Sequence, residues 1–230
     1  RLLVLNTPQN PTGKVFDRDE LSLIASLAQR HDFLVISDEV YEHLVFDGVE
    51  HISIASLPGM EERTLTISSA GKTFSVTGWK IGWIIANPRL SLAVRRIHQW
   101  IPFAVATPLQ LAVAKVLREA RSSGYYDDFR ALYGAKRATL LEALADGGFA
   151  PLRPAGTYFV VADGAERMAT HGLSDDLAFC RWLAQEVGVA AIPPSSFYCR
   201  EHAPMAKTLA RFCFCKQDAS LEEAGRRLRV

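Results

Sequence analysis

In the first half of the chain, short runs of consecutive apolar residues alternate with longer stretches whose apolar positions recur at helical spacing. Leu2 to Leu5 and Phe33 to Ser37 read as buried strands. Between them Asp17, with Glu20 three residues on, forms a capping box that predicts a helix to about His31. Leu65 to Ser68 and Ile81 to Ala86 fit two more strands, Pro88 opens a helix through Trp100, and a longer helix follows Pro108. Uninterrupted apolar strands separated by helices predict a largely parallel sheet covered on its faces. Beyond about Gly124 the order changes to a helix through Asp146, a Gly-rich turn, a strand from Tyr158 to Ala162 and a helix from Asp175 to Glu186. Strands near Val189 to Ile192 and from Leu209 to Cys215 follow. The expected class is α/β, with residues 1–124 in a mainly parallel-sheet domain and 125–230 in a smaller α+β domain.

Composition narrows the partners. With 49% hydrophobic residues the 230-residue chain can bury a sizeable core. Lys and Arg total 26 against 25 Asp and Glu, so the +1 balance gives no electrostatic case for nucleic acid or an acidic membrane surface, and a small molecule is the expected partner. The most apolar run, Trp100 to Ala114, is broken by Pro102, Pro108 and Gln110 and is too short for a membrane span. Cysteines 180, 199, 213 and 215 lack CxxC spacing and read as reduced thiols, which favours a cytoplasmic setting. The histidines are scattered and Cys213-x-Cys215 lacks further ligands, so no metal is assigned. Because the chain opens on Arg1 and runs directly into an apolar strand, residues upstream are expected.

In an open α/β sheet, ligands bind beyond the carboxyl ends of the strands, where Asp38 and the stretch Ser68 to Lys72 fall. Taken singly, Asp38-Glu39 reads as a helix cap or a solvated acid pair and Lys72 as a surface lysine; their joint placement brings chemistry into the contest. Gly71-Lys72-Thr73 ends like a phosphate loop, but the pattern requires glycine where Thr66 stands, which excludes nucleotide hydrolysis of that type. An aldehyde cofactor carrying a phosphate needs a lysine for a Schiff base, an acid for its ring nitrogen, and a cation with hydroxyls for the phosphate. The chain supplies these in order: Asn10 in NTPQNPTGKVF, Asp38 and Tyr41 in SDEVYEHLVF, and Ser69, Lys72 and Lys80 in SSAGKTFSVTGWKIGW. In TLARFCFCK, strand alternation puts Arg211, Cys213 and Cys215 on one face and Phe212 and Phe214 on the other. Such an arginine needs a carboxylate, and spacing alone leaves a structural ion pair and a substrate clamp equally open.

Together these motifs, with HISIASLPGMEERTLTISSAGKTFSVTGWKIGW, resemble the class I/II aminotransferases of pyridoxal phosphate fold type I. The resemblance is strongest to the kynurenine aminotransferase, glutamine transaminase K and cysteine-S-conjugate β-lyase group. It implies that residues 1–124 are the remainder of the cofactor-binding large domain and 125–230 the small C-terminal domain, and that pyridoxal 5'-phosphate is the cofactor. Lys72 would be the Schiff-base lysine and proton carrier, Asp38 the partner of the ring nitrogen, and Tyr41 and Asn10 partners of the ring's 3-oxygen. Ser69 and Lys80 would hold the phosphate, with lysine standing where many members have arginine. Arg211, with Asn10, would bind the substrate α-carboxylate. The resemblance further implies a homodimer acting on an amino acid of kynurenine, glutamine, methionine or aromatic type and a 2-oxo acid. A β-lyase using the same site and a sensor domain of a transcription regulator are the alternatives. Trp100 and Phe103 read as core or interface aromatics, the resemblance placing the loop near Phe103 beside a neighbouring subunit's pocket. No segment matches the family's glycine-rich helix start or its ring-stacking aromatic, so these 230 residues alone are expected to be inactive.

Overall fold

In the computed structural model, which describes residues 1–229, β1 (Leu2–Asn6), β2 (Leu34–Asp38) and β3 (Thr64–Ser69) run parallel, and β4 (Gly82–Ile85) closes the sheet antiparallel to β3. The strand order is β1-β2-β3-β4, and the register sets Asn6, Asp38 and Ile67 side by side at the carboxyl ends. Between β1 and β2 lies α1 (Arg18–Arg30). Its start is fixed by the expected capping box: Glu20 N–H donates to the Asp17 carboxylate and Asp17 N–H to the Glu20 carboxylate. Helical spacing of Leu21, Ala25 and Ala28 buries one stripe of α1 against Leu5, Val35, Ile54, Leu57 and Met60. A second cluster joins Ala70, Ile81 and Val113. It ties α2 (Ala70–Thr73) to α4 (Thr107–Ala120), which follows α3 (Pro88–His98).

Three expectations for this part change. β1 is an edge strand in which Leu3 and Leu5 join the core while Leu2 and Val4 are 57% and 67% exposed, so it is buried on one face only. Trp100 and Phe103, expected as core or interface aromatics, lose the first alternative: each is more than four-fifths exposed, Phe103 in a left-handed conformation. Glu39, read as half of a solvated pair, is buried.

The chain divides into two units, Arg1–Pro8 with Val15–Phe129, and Gln9–Lys14 with the residues from Arg130 onward. The division falls inside α5 (Tyr125–Asp146). The second unit holds the antiparallel sheet β5 (Ala150–Leu152), β6 (Phe159–Asp163) and β7 (Leu209–Cys213), with β6 central, and the helices α6 (Ala165–Thr170), α7 (Asp176–Trp182) and α8 (Asp218–Leu228). As alternation requires, Phe212 and Phe214 are buried, with Phe149 and Phe179 stacked nearby. The expected strand at 189–192 is only an isolated bridge pairing Ile192 with Arg211. The helix expected to Glu186 leaves α-geometry after Trp182 for a π-type turn ended by Gly188 in the left-handed region. The pattern missed β5, α6 and α8: β5 is short and carries Pro151, which an edge strand tolerates.

Candidate active site

In the first unit the site is built on the carboxyl ends of β2 and β3. Alternation along β2 turns Val35 and Ser37 into the core and leaves Asp38 on the opposite, half-buried face. The Asp38 carbonyl accepts from Asn6 Nδ2 (3.0 Å) and Thr7 N–H (3.1 Å), and its Oδ1 accepts from Val40 N–H (3.3 Å). Tyr41, three residues on, is buried in the turn that leaves the strand. One strand over, Ser68 Oγ donates to Glu42 Oε1 (2.6 Å) and ties that turn to β3.

Ser69 ends β3 and caps α2: its Oγ accepts from Gly71 N–H (3.1 Å) and donates to the Ile81 carbonyl (3.1 Å). Lys72 sits on this single turn and is half-buried. The far end of the turn is held by Tyr125, whose hydroxyl donates to the Thr73 carbonyl (2.6 Å). Burial, then the neighbouring Tyr126, pushes that phenol up from its ordinary value and keeps it a donor. The chain returns through Lys80, exposed and left-handed (φ 56°), directly before Ile81, whose carbonyl also accepts from Ala70 N–H. A side chain at Gly82 would reach the Ser68 carbonyl at 2.9 Å, so glycine is needed where β4 pairs with β3. Asp38, Tyr41, Ser69, Lys72 and Lys80 thus share two adjacent strand ends and the hairpin that follows.

Asn10 and Arg211 belong to the second unit. The loop Gln9–Lys14 is pinned by Gln9 N–H to Lys14 O (2.8 Å) and Gly13 N–H to Gln9 O (2.7 Å). Gly13 has φ 72°, and a Cβ there would lie 2.3 Å from Pro154 Cβ, which excludes any larger residue. Arg211 Nη1 donates to Asn10 Oδ1 (2.8 Å), although 201 residues separate them. The guanidinium carbon lies 4.1 Å from the Phe159 ring centre and 5.1 Å from that of Phe197. The arginine is therefore held by an amide and two aromatic rings, a polar and planar seat suited to a carboxylate.

Among the described residues, no group of three or more His, Cys, Asp or Glu is placed to hold a metal ion, and no helix is long and apolar enough to cross a membrane. The Cys213 thiol is pushed up by its hydrogen bond with Cys215 and by burial; that of Cys180 is pushed up to about 12 by burial and by Asp176. Both are poor nucleophiles. Sequence reasoning missed the Glu42–Ser68 bond, the Tyr125–Thr73 bond and the Phe159 and Phe197 walls. Of these only Phe159, beside Tyr158 in an apolar run, left any trace, as part of a strand.

A family profile described as aminotransferase class I and II matches residues 1–228. Among curated proteins, kynurenine–oxoglutarate transaminase of Dictyostelium discoideum is 44% identical over 97% of this chain and 55% of its own length. Among solved structures, N-succinyldiaminopimelate aminotransferase of Mycobacterium tuberculosis aligns with a TM-score of 0.90 at 43% identity, covering 100% of this chain and 58% of that one. An Escherichia coli protein with a methionine aminotransferase function aligns with a TM-score of 0.90 at 39% identity, covering 100% and 58%. The chain spans little more than half the length of the proteins it matches.

Proposed function

The chain belongs to the class I and II aminotransferases, and on that premise we propose that it carries the catalytic lysine, ring-nitrogen acid and carboxylate clamp of a pyridoxal 5'-phosphate-dependent aminotransferase. The observation that carries the reading is the shared placement of Asp38 and Lys72 at neighbouring strand ends, with Ser69 and Lys80 in the hairpin that follows. This donor set fits an aldehyde with a ring nitrogen and a phosphate: an acid, an amine on the next turn, then a hydroxyl and a second amine. When bound, the cofactor supplies a ring that accepts the electrons left behind as the Cα proton of the amino acid departs. Lys72 would hold the aldehyde carbon through its Nζ, and the same Nζ would carry the Cα proton. The Asp38 carboxylate keeps the ring nitrogen protonated, since an opposite charge favours the charged form. Tyr41 would serve the ring's 3-oxygen, the role that the family resemblance also gives to Asn10. Ser69 Oγ, which donates to the Ile81 carbonyl, and Lys80 would hold the phosphate, Lys80 as a point charge without the bidentate fork of arginine.

Arg211, seated on Asn10 and the two phenylalanines, receives the α-carboxylate of the amino acid and of the 2-oxo acid. In this reading the first unit is the remainder of the large cofactor-side domain and the second is the small domain. The preferred substrates are of kynurenine, glutamine, methionine or aromatic type; the names of the relatives support the kynurenine and methionine types. The protein works as a cytoplasmic homodimer, and the exposed Trp100, Ile101 and Phe103 support a subunit contact. The test is borohydride reduction of the intact protein with pyridoxal 5'-phosphate, followed by peptide mapping and assay of an amino acid panel with a 2-oxo acid acceptor. The label is expected on Lys72, with amino transfer. A label at Lys80 with Lys72 free would overturn the assignment, and pyruvate released without an acceptor would mark a β-lyase.

A further inference from the structure

Glu39 follows Asp38 and is only 2% exposed, although a buried carboxylate is unfavourable unless donors surround it. Three do. Ser37 Oγ (2.7 Å) and Ser53 Oγ (2.8 Å) donate to Oε1, and His51 Nε2 lies 2.9 Å from Oε2. Ser37 comes from β2 itself, whereas His51 and Ser53 come from the segment that leads to Ile54 in the core. Glu39 thus locks the exit of β2 to a second, well-packed piece of chain. The peptide joining Asp38 to Glu39 is held from both sides. Its carbonyl accepts from Asn6 Nδ2 and Thr7 N–H, and its N–H donates to Ile67 O (2.9 Å). Alternation sends the two side chains to opposite faces, so whatever fixes Glu39 from behind fixes the direction of Asp38 in front.

We propose that Glu39, gripped by Ser37, His51 and Ser53, is a positioning residue for Asp38, and that it governs how firmly that carboxylate meets a ring nitrogen. The inference rests on the reading of Asp38 given above. It assigns Glu39 no contact with the cofactor. Its action passes through the shared peptide and weakens as the donors lose their acceptors; Glu39→Gln keeps an oxygen for the two serines and removes the one that faces His51.

The test is a double-mutant cycle in the intact protein, titrated with pyridoxal 5'-phosphate, reading affinity and the pH at which the bound cofactor changes its absorbance. Circular dichroism and melting serve as controls for the fold. Glu39→Gln is expected to weaken affinity by about tenfold and to move the absorbance midpoint in the direction set by Asp38→Asn, because neighbours that share a peptide and a hydrogen-bond network are coupled. Added to Asp38→Asn, it should change little further. Ser53→Ala, which removes one donor and leaves the carboxylate, should give a smaller change of the same sign and carries the cycle if Glu39→Gln does not fold. Equal losses with Asp38 present and absent would overturn the inference, because Glu39 would then serve the fold alone. An unmoved midpoint in Glu39→Gln beside a moved one in Asp38→Asn would overturn it and leave the Asp38 role intact. An unmoved midpoint in Asp38→Asn would overturn that role and this inference together.

Discussion

At the scale of single residues, the proposed reading separates charge from shape. Asp38→Asn keeps the size and the hydrogen bond to Val40 N–H but removes the charge that holds a ring nitrogen protonated. Turnover should fall by roughly two or more orders of magnitude even when the weaker cofactor affinity is offset by saturation, and single-turnover rates with fully loaded protein would measure this. Near-unchanged rates would reduce Asp38 to a cap. Arg211→Lys keeps charge and loses the planar fork, so the KM for amino acids should rise about tenfold to a hundredfold while decarboxylated amines are unaffected. Equal losses for both would give Arg211 to the fold. The placements of Asp38 at a strand end, Lys72 on the turn after one and Arg211 within an apolar strand were legible in the sequence, whereas the roles proposed for them came from the family resemblance and not from spacing. Glu39 was not legible, because its burial depends on His51 and Ser53, whose approach no local pattern records.

Elements whose signal is local were read well. The Asp17–Glu20 box marks the start of α1 and Pro88 that of α3, and both are where the pattern put them. Elements that depend on tertiary pairing were not: residues 189–192 look like a strand yet make one bridge, and β5 exists only because β6 pairs with it. The start of α7 offers a test of local chemistry. The Asp175 carboxylate accepts from Ala178 N–H (2.8 Å), a bond that holds its carboxyl below the ordinary range. A lowered carboxylate contributes stability above the unfolded value and loses it as pH falls through the folded one. The melting temperature of Asp175→Ala should therefore lie below that of the parent near neutrality, and the gap should close below about pH 4. A gap that persists in acid would mean that the residue acts by packing.

For the molecule as a whole, β1 has consequences beyond its own face. Within these 230 residues it is the edge of its sheet and carries exposed apolar side chains, an arrangement that invites pairing with another strand. Val4→Lys in this chain should reduce concentration-dependent association in light scattering without lowering helix content; unchanged association would place the adhesive surface elsewhere. The chain path carries a different implication. It leaves the first unit after Pro8, contributes six residues to the second and returns at Val15, so the contact of Asn10 with Arg211 joins segments 201 residues apart in the sequence. A recombination event that exchanged everything after Phe129 would import a new arginine and leave the old asparagine loop behind. Descendants of such a crossover would inherit a mismatched pair, and lineages should therefore pass on the NPTG loop and the distant arginine strand as one heritable trait.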